Sequence, residues 1–126
     1  MSRWPGTICA SAALFLSLLA GCAHRPPPLY YWGSYQVQVY DYFKGEKDPQ
    51  AGIQALEADR ERARSRGSAL PPGFQAHLAV LYGKTGRLEL MAENLAAEKR
   101  QFPESSVFMD FLLRKFQPPI ADEAPQ

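Results

Sequence analysis

A chain of 126 residues with 46% hydrophobic, 12% aromatic and 21% charged side chains has room for one globular domain, and its composition excludes a collagen-like or wholly disordered chain. The formal charge of +1 becomes 13 basic against 13 acidic side chains once residues 1–21, whose only charged side chain is Arg3, are set aside. That balance excludes a long-range field drawing in nucleic acid or anionic lipid, so no nucleic-acid partner is expected.

Residues 1–7, MSRWPGT, carry one base and no acid, and the apolar run ICASAALFLSLLA follows. The run is too short to cross a bilayer core of ~30 Å, which takes roughly 20 residues, but it has the length of a signal-peptide core. It ends in Leu19-Ala20-Gly21-Cys22, which resembles the lipobox of bacterial lipoproteins. The resemblance implies that residues 1–21 are a lipoprotein signal peptide cut between Gly21 and Cys22. Cys22 would then carry a thioether-linked diacylglycerol and an N-acyl chain such as palmitate. A general secretory signal with an incidental cysteine, or an uncleaved anchor, is the alternative. Cys9 leaves with the signal, so Cys22 has no intramolecular disulfide partner in the mature chain, which suits lipidation in an oxidising envelope. One acyl chain anchors reversibly, whereas two or three make attachment effectively permanent. Ala23 follows Cys22 where an aspartate would imply inner-membrane retention in Gram-negative lipoproteins. The resemblance therefore implies an outer-membrane, periplasm-facing protein. Residues 22–29 read as the lipidated cysteine and a stiff spacer built on Pro26-Pro27-Pro28.

Turn signals divide residues 30–116 into five apolar segments, which predict an all-α domain. SYQVQVYDYFKG is ambiguous: Tyr35, Val37 and Val39 alternate as in a strand, while Trp32, Tyr35, Val39 and Tyr42 follow helical spacing. Helix is preferred over residues 34–44, with Ser34 as its cap. Asp48-Pro49 starts a second helix with Ile53, Leu56 and Ala63 near one stripe and Gly67 at its end. A third opens at Pro71-Pro72-Gly73, places Phe74, Leu78, Leu81 and Tyr82 on one face and stops at Gly83-Lys84-Thr85-Gly86. A fourth puts Leu88, Met91 and Leu95 on one face, with Phe102 near its end, and Pro103 breaks it. The fifth begins around Ser105-Ser106 and carries Val107, Phe108, Phe111, Leu112 and Phe116. Residues 117–126, QPPIADEAPQ, have no periodic face and are expected to form a disordered tail.

Tyr82, Gly86, Met91, Leu95 and Pro103 have the offsets of a tetratricopeptide repeat, with Ala79 at a small-residue position. Met91 and Glu98 stand where that pattern has alanines. Forty residues earlier, Tyr42, Ala51, Ala55 and Ala58 form a weak echo, and this echo favours helix for the first segment. The expected architecture is two helix pairs and a closing helix, a short tetratricopeptide-like stack. Residues 29–116 also resemble an uncharacterised family of bacterial lipoproteins, the domain of unknown function 4810. Tyr31-Trp32-Gly33-Ser34-Tyr35, Leu70-Pro71-Pro72-Gly73, and Glu98 with Phe102-Pro103-Glu104-Ser105 carry the resemblance. It implies a small helical, repeat-like lipoprotein, often encoded beside lipoproteins resembling the curli secretion pore subunit, and supplies no catalytic residues.

The residues themselves point away from catalysis. The mature chain's histidines are His24, in the spacer, and His77, alone on a helix; with Cys22 acylated they form no zinc-ligand set. No phosphate-binding glycine loop, nucleophile elbow or two-histidine zinc motif is present. Glu57 with Arg60, Asp59 with Arg62 and Glu61 with Arg64 form i,i+3 pairs, read as a solvated helix face, with an arginine patch for an acidic partner as the alternative. Tyr30, Tyr31, Trp32, Tyr35, Tyr40, Tyr42 and Phe43 offer more aromatic area than one helical face buries. They could cap the stack, bind a partner through Tyr30, Tyr31, Trp32 and Tyr35, or stack on peptidoglycan sugars. The expected function is that of a non-enzymatic adaptor or assembly factor for another envelope lipoprotein or secretion-type complex. It would be anchored to the membrane by lipid and use no cofactor beyond that lipid. A peptidoglycan-binding or wall-modifying protein is the rival, and the sequence leaves the oligomeric state open.

Overall fold

Breakers in the sequence set the ends of the helices. A computed structural model describes residues 26–116, so the expected signal peptide, Gly21, Cys22 and the expected tail at residues 117–126 lie outside the described residues. Five α-helices follow in order: α1 Tyr35–Lys44, α2 Pro49–Ser65, α3 Phe74–Lys84, α4 Leu88–Gln101 and α5 Ser106–Phe116, with a 3₁₀ turn Pro103–Ser105 before α5. The strand-like alternation at Tyr35, Val37 and Val39 is not realised, since α1 is helical throughout. Asp48 stands at the N-cap of α2 with Pro49 in its first turn, where the missing N–H is no loss. At the other end, the Gly67 and Ser68 N–H groups donate to the carbonyls of Arg64 and Ala63 at 3.0 and 2.9 Å and close α2.

Each helix packs chiefly on its neighbours in sequence, α3 against α4 most extensively. α3 is the centre: Phe74, Gln75, Ala76, Leu78, Ala79, Leu81 and Tyr82 are all buried. Ile53 and Leu56 of α2, Met91 and Leu95 of α4, and Met109 and Leu112 of α5 close around it. Four of the predicted apolar positions face elsewhere. Leu88 is 41% exposed because a helical side chain covers the turn before its own Cα, and before Leu88 there is only the Gly86-Arg87 turn. Val107, Phe108 and Phe111 are 83%, 57% and 49% exposed. In α5 the inward face is Met109 and Leu112, and among the described residues no helix covers the opposite face.

Among the described residues no helix is long and apolar enough to cross a membrane.

Candidate functional site

The segment before α1 is tied to the rest of the domain at two places. The Tyr31 N–H donates to the Ala69 carbonyl at 2.8 Å, and Tyr30 forms an isolated parallel bridge with Ala69. Three residues on, Gly33 turns the chain with φ +47°, and a Cβ there would lie 2.5 Å from the Asp59 carboxyl carbon. Only glycine combines that backbone with that approach. Ser34 uses the space: its N–H and its hydroxyl both donate to Asp59 Oδ2 at 2.6 Å, and Arg62 donates to Oδ1 at 2.9 Å. Ser34 therefore stands at the N-cap of α1 without capping its own helix, because its hydroxyl is spent on α2. Burial pushes the Asp59 carboxyl up, but the Ser34 bonds and the Arg62 guanidinium outweigh it and hold the group below the ordinary carboxylate range.

A second carboxylate does the same for α3. Glu98 of α4 is 1% exposed and accepts from the N–H groups of Gly73, Gln75 and Ala76 at 2.6, 3.2 and 3.3 Å. These are first-turn donors without intrahelical partners, at the positive end of the helix, so a negative charge there both satisfies and stabilises them. Gly73 has φ +85°, and a Cβ on it would lie 2.6 Å from the Tyr35 hydroxyl. Burial, and then the Glu98 charge, push the Tyr35 phenol above its ordinary value. The departure at Glu98 from the repeat pattern is thus the helix cap of α3.

The acidic residues of α2 pair as their spacing predicts: Glu57 with Arg60 at 2.5 Å, Asp59 with Arg62 at 2.9 Å and Glu61 with Arg64 at 3.6 Å. The expected solvated face is corrected at Asp59, which is 2% exposed because Gly33 and Ser34 cover it. Glu57 also accepts from the Tyr82 hydroxyl at 2.6 Å. Burial, and then that carboxylate, push the Tyr82 phenol up to about 12.

The four candidate surface aromatics lie together but not equally free. Tyr30 is half-buried, edge-on to Phe102 and to Trp32 at centroid distances of 6.2 and 6.4 Å. The Arg66 guanidinium lies 5.1 Å above the Tyr31 ring. Trp32, 42% exposed, stacks on Tyr35 at 6.2 Å, and Tyr35 packs on Phe74 at 5.5 Å. Beyond Tyr35 the aromatic surface continues into a groove of about 410 Å³ between α1, α3 and α5. Val39, Tyr42 and Phe43 form one wall, His77 and Val80 the floor, and Phe108, Leu112 and Phe116 the other wall. The His77 ring sits between Tyr35 and Tyr42 at 6.2 and 5.3 Å. Its Nε2 is buried without a hydrogen-bond partner. Burial lowers its pKa below the usual imidazole value, against the opposing effect of a backbone hydrogen bond with Gln38.

Residues 29–112 match the family model described as Domain of unknown function (DUF4810). The chain belongs to that family. No curated protein and no solved structure matches it. The matched span of the DUF4810 domain starts at Leu29, just before the tied segment, and ends at Leu112 within α5. It contains both carboxylate clamps and most of the groove. Tyr31-Trp32-Gly33-Ser34-Tyr35, Leu70-Pro71-Pro72-Gly73 and Glu98, which carried the resemblance in sequence, meet at the start of α3 and along α2. Their work is to hold turns against helices. Each buried carboxylate accepts three hydrogen bonds, which suits holding a turn against a helix. Among the described residues no group of three or more His, Cys, Asp or Glu is placed to hold a metal ion.

Sequence reasoning missed the groove's far wall. The signal was present in α5, where Val107, Phe108, Met109, Phe111, Leu112, Leu113 and Phe116 exceed what one buried stripe uses.

Proposed function

We propose that this DUF4810 chain is an outer-membrane lipoprotein, held by diacylglycerol and an N-acyl chain on Cys22, whose tetratricopeptide-like helical stack faces the periplasm. In this reading it is a non-enzymatic adaptor or assembly factor for another envelope lipoprotein or secretion-type complex. The observation that carries the reading is the open groove, walled by aromatic and aliphatic side chains from three different helices. An apolar recess of this size on a small helical stack suits the side chains of a protein partner. Seven residues separate Cys22 from Tyr30. Extended, they reach at most roughly 30 Å, so the anchor would keep the domain beside the membrane and raise its effective concentration toward other anchored proteins.

Two measurements test the parts separately. Cys22→Ser removes the thiol needed for the thioether, so metabolic fatty-acid labelling should vanish; labelling that persists refutes the anchor. Purification from detergent-solubilised envelopes should bring down a stoichiometric lipoprotein. The rival reading, binding to peptidoglycan, draws on the exposed Trp32 ring as a sugar-stacking surface, and predicts sedimentation with purified peptidoglycan instead.

A further inference from the structure

We propose that the groove between α1, α3 and α5 receives an amphipathic helix of a partner protein whose apolar stripe is flanked by carboxylates. The proposal rests on the adaptor reading and adds the site and the partner's chemistry.

Charge points to this occupant. Among the groove-lining residues the one charged group is Lys115, and the Lys84 ammonium lies 4.6 Å above the Tyr42 ring on the rim. α3 contains no acidic residue, and α1 and α5 contain one each. Asp41 of α1 is paired with Lys47 at 3.6 Å, on the side toward α2, and Asp110 of α5 with Lys99 of α4 at 2.6 Å. The groove is therefore apolar within and cationic at its edge. Phe43, 80% exposed, and Phe108, 57% exposed, stand on opposite walls, a geometry that takes a row of side chains at helical spacing.

The other occupants fit less well. The chain's own residues 117–126 offer the carboxylates of Asp122 and Glu123, but they carry three prolines and a single large apolar side chain, Ile120. Burying one isoleucine does not offset the loss of freedom in ten ordered residues. A second copy would offer the outward face of α5, but that face ends in Arg114, the same sign as the groove's rim.

The test uses the full lipidated chain in neutral detergent micelles, with binding to empty micelles subtracted. The probes are two fluorescent synthetic peptides with leucines at i, i+3, i+4 and i+7, one flanked by glutamates and its twin by lysines. The glutamate peptide should bind about tenfold tighter or more. Phe43→Ser should weaken it by a similar factor without changing the melting temperature, and Lys84→Glu with Lys115→Glu should reverse the preference. Equal binding of the twins, or insensitivity to Phe43→Ser, overturns the proposal. So does a marked gain in affinity on deleting residues 117–126, which would make the tail the occupant. A dimer that Phe43→Ser dissociates would make the occupant a second copy and overturn it equally. If the peptides behave as expected but no lipoprotein co-purifies, the groove stands and the adaptor reading fails. If a lipoprotein co-purifies equally well with Phe43→Ser, the adaptor reading stands and the groove proposal fails.

Discussion

Two carboxylates with no solvent around them decide how the turns of this domain are held. Glu98 satisfies three N–H groups at the start of α3 with one side chain. Removing it leaves buried donors unmet, and hydrogen bonds to a charged group are worth ~1.5–3 kcal/mol each before any relaxation. Glu98→Ala should therefore destabilise the domain by about 3 kcal/mol or more. For a domain of this size each kcal/mol is worth roughly 4–8 °C in melting temperature, so thermal unfolding should show the loss plainly. Tyr82 supplies a pH signature. Its phenol is raised from 10.0 to about 12, so the folded state holds a proton that the unfolded chain releases first. The stability this contributes is fully present below pH 10 and is lost as the pH climbs toward 12. Chemical denaturation across that range should show the decline in the wild type and a shallower one in Tyr82→Phe, which lacks the titrating hydroxyl. None of this was legible residue by residue. Glu98 was visible as a departure from a repeat pattern and as part of the family resemblance, neither of which showed that it caps α3, and Asp59 resembled the other members of its i,i+3 series, because the glycine turn that buries it lies 26 residues away in sequence.

At the scale of elements, the sequence was most informative where breakers and periodicity agreed. Asp48-Pro49, Gly67, the Gly83–Gly86 turn and Pro103 all bound helices as their chemistry requires. α1 was ambiguous because its valines and tyrosines suit a strand as well as a helix, and packing decided: Gln38 is buried and Tyr35 rests on Phe74. α5 was misread for a different reason. Periodicity identifies an apolar stripe but not how many neighbours will cover it, and among the described residues α5 has neighbours on one side only. Met109 at 2% exposure and Phe111 at 49% should therefore respond differently to truncation. Met109→Ala should cost about 2–5 kcal/mol, whereas Phe111→Ser should stay within roughly 0.5 kcal/mol of wild type. Urea unfolding of both variants measures the contrast, and equal losses would mean that the outer face of α5 is covered.

Across the whole molecule, sequential stacking puts α1, α3 and α5 on one side and leaves a groove that no single segment encodes. The aromatic cluster after the spacer divides between two roles for the same reason. Tyr30 and Tyr31 fasten the chain to Phe102, Arg66 and Ala69, while Tyr42 and Phe43 open onto the groove. Replacing Tyr30 and Tyr31 together by alanine should lower the melting temperature, since both lose packing partners. Phe43→Ser should leave it nearly unchanged, since that ring is 80% exposed. The central claim is that this groove is where a partner binds, and the most direct measurement is co-purification from detergent-solubilised envelopes, with thermal unfolding recorded for the same preparations. The account predicts that the wild type retains a stoichiometric lipoprotein and that Phe43→Ser with Phe108→Ser loses it at an unchanged melting temperature. A partner retained in full by that variant, or a wild type that sediments with peptidoglycan and retains no lipoprotein, would contradict it.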